Sequence, residues 1–215
     1  RTVQFCDLLG KFGIESTRVP PSDLAALEQA VRPETRLLLA ESPTNPHLHV
    51  ADLEKIVPFA KEHRLRVLID STFATPVNQC PLDYGVDLVV HSCTKYLGGH
   101  NDLMAGSVCG KAGIVSAIKE FRDVVGTNSD PNTAWLLIRG IKTLALRMQQ
   151  QNTSAQTIAE YLEGHDKVQR VFYPGLASHP DHAIAKAQMK GYGGVVSFEI
   201  DGDRERTRQF VEALQ

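Results

Sequence analysis

The sequence predicts an α/β fold, a mainly parallel sheet sandwiched by helices, followed by the start of an α+β unit. Three observations carry this. Short apolar runs without polar alternation, Leu37–Ala40, Val67–Ile69 and Val86–Val90, have the character of strands buried on both faces. Segments with helical spacing separate them, as parallel strands require for their crossovers. From about Val168 the pattern changes to strands at Val168–Tyr173 and Val195–Ile200, with helices around Ile184 and Phe210.

Taken in order, Arg1–Phe12 has helical spacing and Ile14–Val19 reads as a short extended segment. Pro20, Pro21, Ser22 and Asp23 then offer a cap for a helix over Leu24–Val31. After the first buried strand, the turn from Pro43 to Pro46 leads to Asp52, which starts a helix reaching about His63. Two further strands bring the chain to Lys95. Beyond it Gly98, Gly99 and Gly106 interrupt regular structure, Ser107–Cys109 forms another strand, and Gly113–Val125 is helical. Ala134 to about His165 carries apolar residues at helical intervals, long enough to link two domains. The expected division is therefore 1–133, a linking helix over 134–165, and 166–215.

Composition excludes several classes. A chain of 215 residues, 42% hydrophobic and 22% charged, suits a globular protein, and a net charge of -2 gives no pull towards nucleic acid or an anionic membrane. No apolar stretch approaches the roughly 20 residues of a membrane span. Cys6, Cys80, Cys93 and Cys109 lack CxxC spacing, which suits reduced thiols and a cytoplasmic location. The chain starts and stops inside apolar patterns, so both ends are expected to be cuts.

The chemistry gathers where parallel sheets collect ligands, outside the carboxyl ends of the strands. Asn45 follows one strand, Asp70 the next, and Ser92, Thr94 and Lys95 the third. An acid and an amine at one sheet edge suit pyridoxal 5'-phosphate. Its aldehyde needs a lysine to hold it as a Schiff base, and its ring nitrogen needs a carboxylate to stay protonated. Two unit charges about 4 Å apart attract by roughly 4 kcal/mol at an effective dielectric of about 20, before desolvation. On extended backbone the hydroxyls of Ser92 and Thr94 share a side and could donate to the phosphate. Asn45 could hydrogen-bond the ring's phenolic oxygen. A single lysine or aspartate at such a place is ordinarily a surface residue or a turn former; the joint pattern is what points to a cofactor.

On Glu41-Ser-Pro-Thr-Asn-Pro46, Asp70-Ser-Thr-Phe-Ala-Thr-Pro76 and His91-Ser-Cys-Thr-Lys-Tyr-Leu-Gly-Gly-His-Asn-Asp102, the chain resembles the cysteine and methionine metabolism family of fold-type I pyridoxal phosphate enzymes. The likeness continues through Leu137–Leu144 and Tyr173–Leu176. It implies an aspartate aminotransferase-like large domain, of which 1–133 would be the central part, and a small domain beginning near 166. It also implies Lys95 as Schiff-base lysine and proton shuttle, Asp70 as ring-nitrogen partner, Ser92 and Thr94 as phosphate hydroxyls, and Asn45 beside the ring oxygen. Ser71 departs from the asparagine or glycine usual in its slot.

Phe73–Gln79, Gly98–Asp102, Gln149–Asn152 and Ser178–Lys186 are most similar to the plant and cyanobacterial cystathionine γ-synthase branch. That resemblance implies γ-replacement, in which an activated homoserine ester and cysteine yield cystathionine, within a homotetramer built as a dimer of dimers. The plastid stroma would then be the compartment in a plant. The glycine-containing phosphate loop, the ring-stacking tyrosine and the partner-subunit contacts of that family would lie upstream of Arg1, and its carboxylate-binding arginine downstream of Gln215.

Cystathionine γ-lyase, methionine γ-lyase and O-acetylhomoserine sulfhydrylase share every residue named above and remain alternatives. A metal protein built on His91, Cys93 and His100, or on His179 and His182, matches no zinc spacing. A non-catalytic interaction module is the third reading, against which Asp70 and Lys95 both argue. Arg139 and Lys142 are expected on a solvated helix face, and Trp135 in the core.

Overall fold

The computed structural model describes residues 2–20 and 23–214. Arg1, Pro21, Ser22 and Gln215, which the terminal and capping segments of the sequence include, lie outside the described residues.

Four strands form the main sheet in the order β1-β2-β3-β4: β1 (Leu37–Glu41), β2 (Arg66–Asp70), β3 (Leu88–Ser92) and β4 (Gly106–Gly110). The first three are parallel, with Glu41 level with Asp70 and Asp70 level with Val90, so their carboxyl ends form one edge. β4 runs antiparallel to β3, with Gly106 opposite Ser92. The sheet is thus mixed, and only its edge strand reverses. A second sheet pairs β5 (Val168–Phe172) with β6 (Ser197–Ile200), also antiparallel.

Nine helices lie among the described residues: α1 (Thr2–Gly10), α2 (Leu24–Ala30), α3 (Leu53–Glu62), α4 (Thr75–Asn78), α5 (Ala112–Val125), α6 (Pro131–Ile141), α7 (Leu144–Glu163), α8 (His182–Gln188) and α9 (Arg204–Glu212). Short polar side chains start several of them. The Asp23 carboxylate accepts from the Ala26 N–H at 2.9 Å, Asp52 from Lys55, Asp130 from Asn132 and Thr133, and Asp203 from Arg206, each satisfying an amide that the first helical turn leaves without a partner.

Strand periodicity decides which side chains α3 covers. Leu38, Val67, Ile69 and Val89 alternate onto one sheet face and pack with Leu53, Ile56, Val57 and Ala60 of α3. The other face carries Leu39, Leu68, Asp70, Val90 and Ser92, all half-buried. Core burial therefore stiffens the strands from one side and leaves the functional groups on the other.

Three expectations are corrected. Residues 14–20 have no regular structure, because no neighbouring strand pairs with them. Trp135 is 59% exposed rather than in the core, with the Arg139 guanidinium 5.9 Å from its ring centre. The continuous helix expected over 134–165 is two helices, interrupted at Lys142 and Thr143. The Gly140 carbonyl explains the break. It accepts from the Thr143 N–H at 3.3 Å, from the Thr143 hydroxyl at 3.2 Å and from Arg147 at 2.9 Å, and so is taken out of the regular i→i+4 ladder.

The C-terminal elements are tied to the main sheet's loops by polar contacts. Asn78 after β2 and Asn152 of α7 exchange two amide hydrogen bonds, at 3.0 and 2.8 Å, and Asn152 also accepts from the Gly193 N–H. Asp181 accepts from the Val50 N–H at 3.0 Å and pairs with His49 at 2.9 Å. No helix among the described residues is long and apolar enough to cross a membrane.

Candidate active site

The carboxyl edge of β1, β2 and β3 brings together four of the five residues singled out from the sequence. Asp70 ends β2, Ser92 ends β3, and Thr94 and Lys95 lie in the tight turn that follows. Because Asp70 is level with Val90, and Ser92 is two residues further on, Asp70 and Ser92 face the same side of the sheet. The fifth residue, Asn45, is exposed in the loop after β1. That loop is pinned by Thr44, whose carbonyl accepts from the Leu48 N–H and whose hydroxyl accepts from the His49 N–H at 2.9 Å.

Thr72 joins the two strand ends, and its role is absent from the sequence reading. Its hydroxyl donates to Asp70 Oδ1 at 2.5 Å and accepts from the Ser92 N–H at 2.9 Å, while its own N–H also donates to Asp70 Oδ1 at 3.0 Å. From Ser92 the chain of contacts continues, since the Lys95 N–H donates to the Ser92 carbonyl at 3.1 Å. The Asp70 carboxylate and the Lys95 backbone thus belong to one hydrogen-bonded frame. An aspartate followed two residues later by threonine is a turn signal in its own right, and it could have identified Thr72.

The available polar atoms suit a phosphorylated pyridine aldehyde. Both bonds to the Asp70 carboxylate fall on Oδ1, so Oδ2 is the oxygen left to meet a ligand. Ser71 Oγ is fully buried and has no partner among the described residues, nor has the buried Nδ1 of His91. The Thr94 hydroxyl accepts from the Ala105 N–H at 3.0 Å, and its donation to the Ala105 carbonyl is long at 3.4 Å. That proton can turn to a better acceptor without loss of the shorter bond. The Lys95 side chain is exposed.

Burial shapes the protonation of the surrounding groups. The His91 imidazole is pushed below its ordinary pKa by desolvation, against the opposing pull of the Asp70 charge and a hydrogen bond to the Ser71 backbone. Burial raises the Cys93 thiol, whose Sγ lies 3.9 Å from the His91 carbonyl, and likewise raises the Tyr96 phenol. Burial thus favours the neutral forms of His91, Cys93 and Tyr96. His179 and His182 are structural hydrogen-bonders: Nε2 of His179 meets the His47 carbonyl at 3.1 Å and Nδ1 of His182 the Pro174 carbonyl at 2.9 Å. Among the described residues no group of three or more His, Cys, Asp or Glu is placed to hold a metal. A cavity of about 550 Å³ among Glu28, Arg32, Arg36, His63 and Arg64 lies at the opposite, amino ends of the strands and shares no residue with this edge.

Replacing Thr72 by valine should strip Asp70 and the Ser92 N–H of their shared partner, at a cost of about 1–3 kcal/mol. Urea unfolding of the isoteric pair checks this, and an unchanged midpoint would contradict the bridging role.

A mixed α/β layer whose parallel carboxyl edge gathers an acid, hydroxyls and an amine is the architecture of fold-type I pyridoxal phosphate-dependent enzymes. The chain belongs, within that class, to the family described as Cys/Met metabolism PLP-dependent enzyme, which matches residues 2–215. It is 53% identical over 210 residues to the chloroplastic cystathionine γ-synthase 1 of Arabidopsis thaliana, covering 97% of this chain and 37% of that protein. Among solved structures it superimposes on cystathionine γ-synthase from Xanthomonas oryzae pv. oryzae, in complex with cystathionine, with a TM-score of 0.95 at 36% identity, covering 100% of this chain and 56% of that one. Cystathionine γ-lyase from Lactobacillus plantarum, complexed with L-serine, gives a TM-score of 0.92 at 44% identity, covering 97% and 55%. The chain spans between about a third and a little over half of the length of these relatives.

Proposed function

We propose that the full-length protein carries out pyridoxal phosphate-dependent γ-replacement, joining an activated homoserine ester to cysteine to give cystathionine. The observation that carries this reading is the 53% identity to a plant cystathionine γ-synthase along 97% of the chain. Bound pyridoxal phosphate supplies an electron sink beside the substrate's reacting carbons. Lys95 is the residue that would hold the cofactor's aldehyde, and its amine would move protons at the substrate's Cα and Cβ. Asp70 offers Oδ2 to the ring nitrogen, with Thr72 holding Oδ1 and so fixing the carboxylate's direction. Ser92 and Thr94 would donate to the phosphate, and Asn45 to the ring oxygen.

The division of labour along the chain follows. Residues 1–133 form the central part of the cofactor-binding large domain, 134–165 link it to the next unit, and 166–215 begin the small domain. The family resemblance supports a homotetramer of paired dimers acting on small amino-acid substrates, in the cytoplasm or, in a plant, the plastid stroma. A second reading, elimination by a γ-lyase, is favoured by the 44% identity to the Lactobacillus plantarum lyase. The two part after the ester group leaves: replacement adds cysteine's thiol at the substrate's Cγ, whereas elimination adds a proton there and releases 2-oxobutyrate and ammonia. Product analysis of the full-length protein with O-phosphohomoserine, O-succinylhomoserine and O-acetylhomoserine, each with cysteine or sulfide, separates them. Cystathionine should accumulate with cysteine; 2-oxobutyrate as the main product with every ester would install the lyase reading instead.

A further inference from the structure

We propose that Arg147 is a positioning residue that fixes the Lys95 loop against the break between α6 and α7. The proposal rests on the reading of Lys95 as the cofactor's anchor. Lys95 lies in a turn closed by the Gly98 N–H to the Cys93 carbonyl at 2.7 Å and the Gly99 N–H to the Lys95 carbonyl at 2.8 Å. Into this turn reaches the Arg147 guanidinium from α7. Nη1 donates to the carbonyl of Tyr96, the residue after Lys95, at 2.8 Å; Nη2 donates to the Gly140 carbonyl at 2.9 Å; and Nε donates to the Thr143 hydroxyl at 3.1 Å. One side chain thereby joins the Lys95 turn, the end of α6 and the start of α7.

The surrounding glycines make room for this arrangement. A Cβ on Gly99, whose φ is +79°, would stand 2.2 Å from Arg147 Nη1, and one on Gly140 would stand 2.3 Å from the Gly98 carbonyl oxygen. Both positions must lack a side chain for the guanidinium and the turn to fit as they do. Among the described residues Arg147 has no ion pair with a carboxylate, and its donors go to two carbonyls and a hydroxyl in three segments. Only a planar fork can reach divergent acceptors in this way; the ammonium of a lysine is a single point of contact. A residue needed merely to stabilise α7 would be served by contacts within α7. Two of these contacts hold the α6–α7 junction, and the third leaves it for the peptide next to Lys95.

The test uses the full-length protein with Arg147→Met and Arg147→Lys. In the cofactor-free state, hydrogen exchange at the Gly98 and Gly99 amides should be about tenfold faster in Arg147→Met, with β2 and β3 amides unchanged, and Arg147→Lys should fall between the two. On adding pyridoxal phosphate, the visible circular dichroism per bound cofactor should fall by about half in Arg147→Met. A purely structural brace would change how much cofactor binds but not the signal of each bound molecule. Wild-type exchange at Gly98 and Gly99, exchange raised uniformly across the sheet, or an unchanged signal per bound cofactor would overturn the proposal. If Arg147→Met does not fold, Arg147→Lys alone decides, since wild-type exchange at the two glycines in that variant would also overturn it. Borohydride reduction of the wild type tests the underlying reading separately. A label on another lysine removes the link to the cofactor even where Arg147 still controls exchange in the turn.

Discussion

Lys95→Ala in the full-length protein is expected to abolish covalent retention of pyridoxal phosphate and to lower turnover by about 10²–10⁴-fold or more, the range attached to loss of a positioned acid–base group. The fold should survive. The backbone of Lys95 keeps its bonds to the Ser92 carbonyl and the Gly99 N–H whatever the side chain, and the side chain itself is exposed. Exposed substitutions away from a cap or core ordinarily change stability by no more than about 0.5 kcal/mol. Borohydride reduction followed by peptide mass mapping should find the phosphopyridoxyl group on Lys95 in the wild type and nowhere in the variant. A variant that still carries the label, at any lysine, would show that the amine has been assigned to the wrong residue.

The parts of this site that were legible in the sequence are those written in local chemistry. Continuous apolar runs located β1, β2 and β3, because a strand covered on both faces needs no polar alternation, and the acid and amine then fell at strand ends by position alone. What the sequence concealed depends on distant partners. Thr72 joins Asp70 to Ser92 only because the parallel register sets Asp70 level with Val90. The antiparallel direction of β4 follows from a tight return through Leu97–Ala105, whose length and glycines allow either direction to a reader of the sequence. Pro76 and Pro81 stand in the first turns of α4 and of the 3-10 turn Pro81–Tyr84, where a helix has no use for the missing N–H. The break after α6 carries no glycine or proline at Lys142 or Thr143; the Gly140 carbonyl there is engaged by Thr143 and by Arg147, which lies a turn later on α7. Exposed Trp135, Ile138 and Phe121 show the limit of periodicity, which marks an apolar helix face without saying what covers it.

Asp70→Asn isolates charge from shape, and so tests the electronic half of the site. Asparagine keeps an oxygen for the Thr72 hydroxyl and N–H, so the Asp70–Thr72–Ser92 frame can persist while the negative charge is gone. An attraction of roughly 4 kcal/mol between the carboxylate and a protonated ring nitrogen, at about 4 Å and an effective dielectric of about 20, sets an upper limit near three powers of ten. Turnover is therefore expected to fall by about 10²–10³-fold, with weaker cofactor retention measured by titration of the cofactor-free protein. Asp70→Ala should do the same and also release Thr72, so its unfolding midpoint should drop where that of Asp70→Asn does not. The pair distinguishes two causes that activity alone would merge. Turnover of Asp70→Asn within about twofold of wild type would mean that the carboxylate serves only to hold Thr72, and that the charge opposite the ring nitrogen comes from another group.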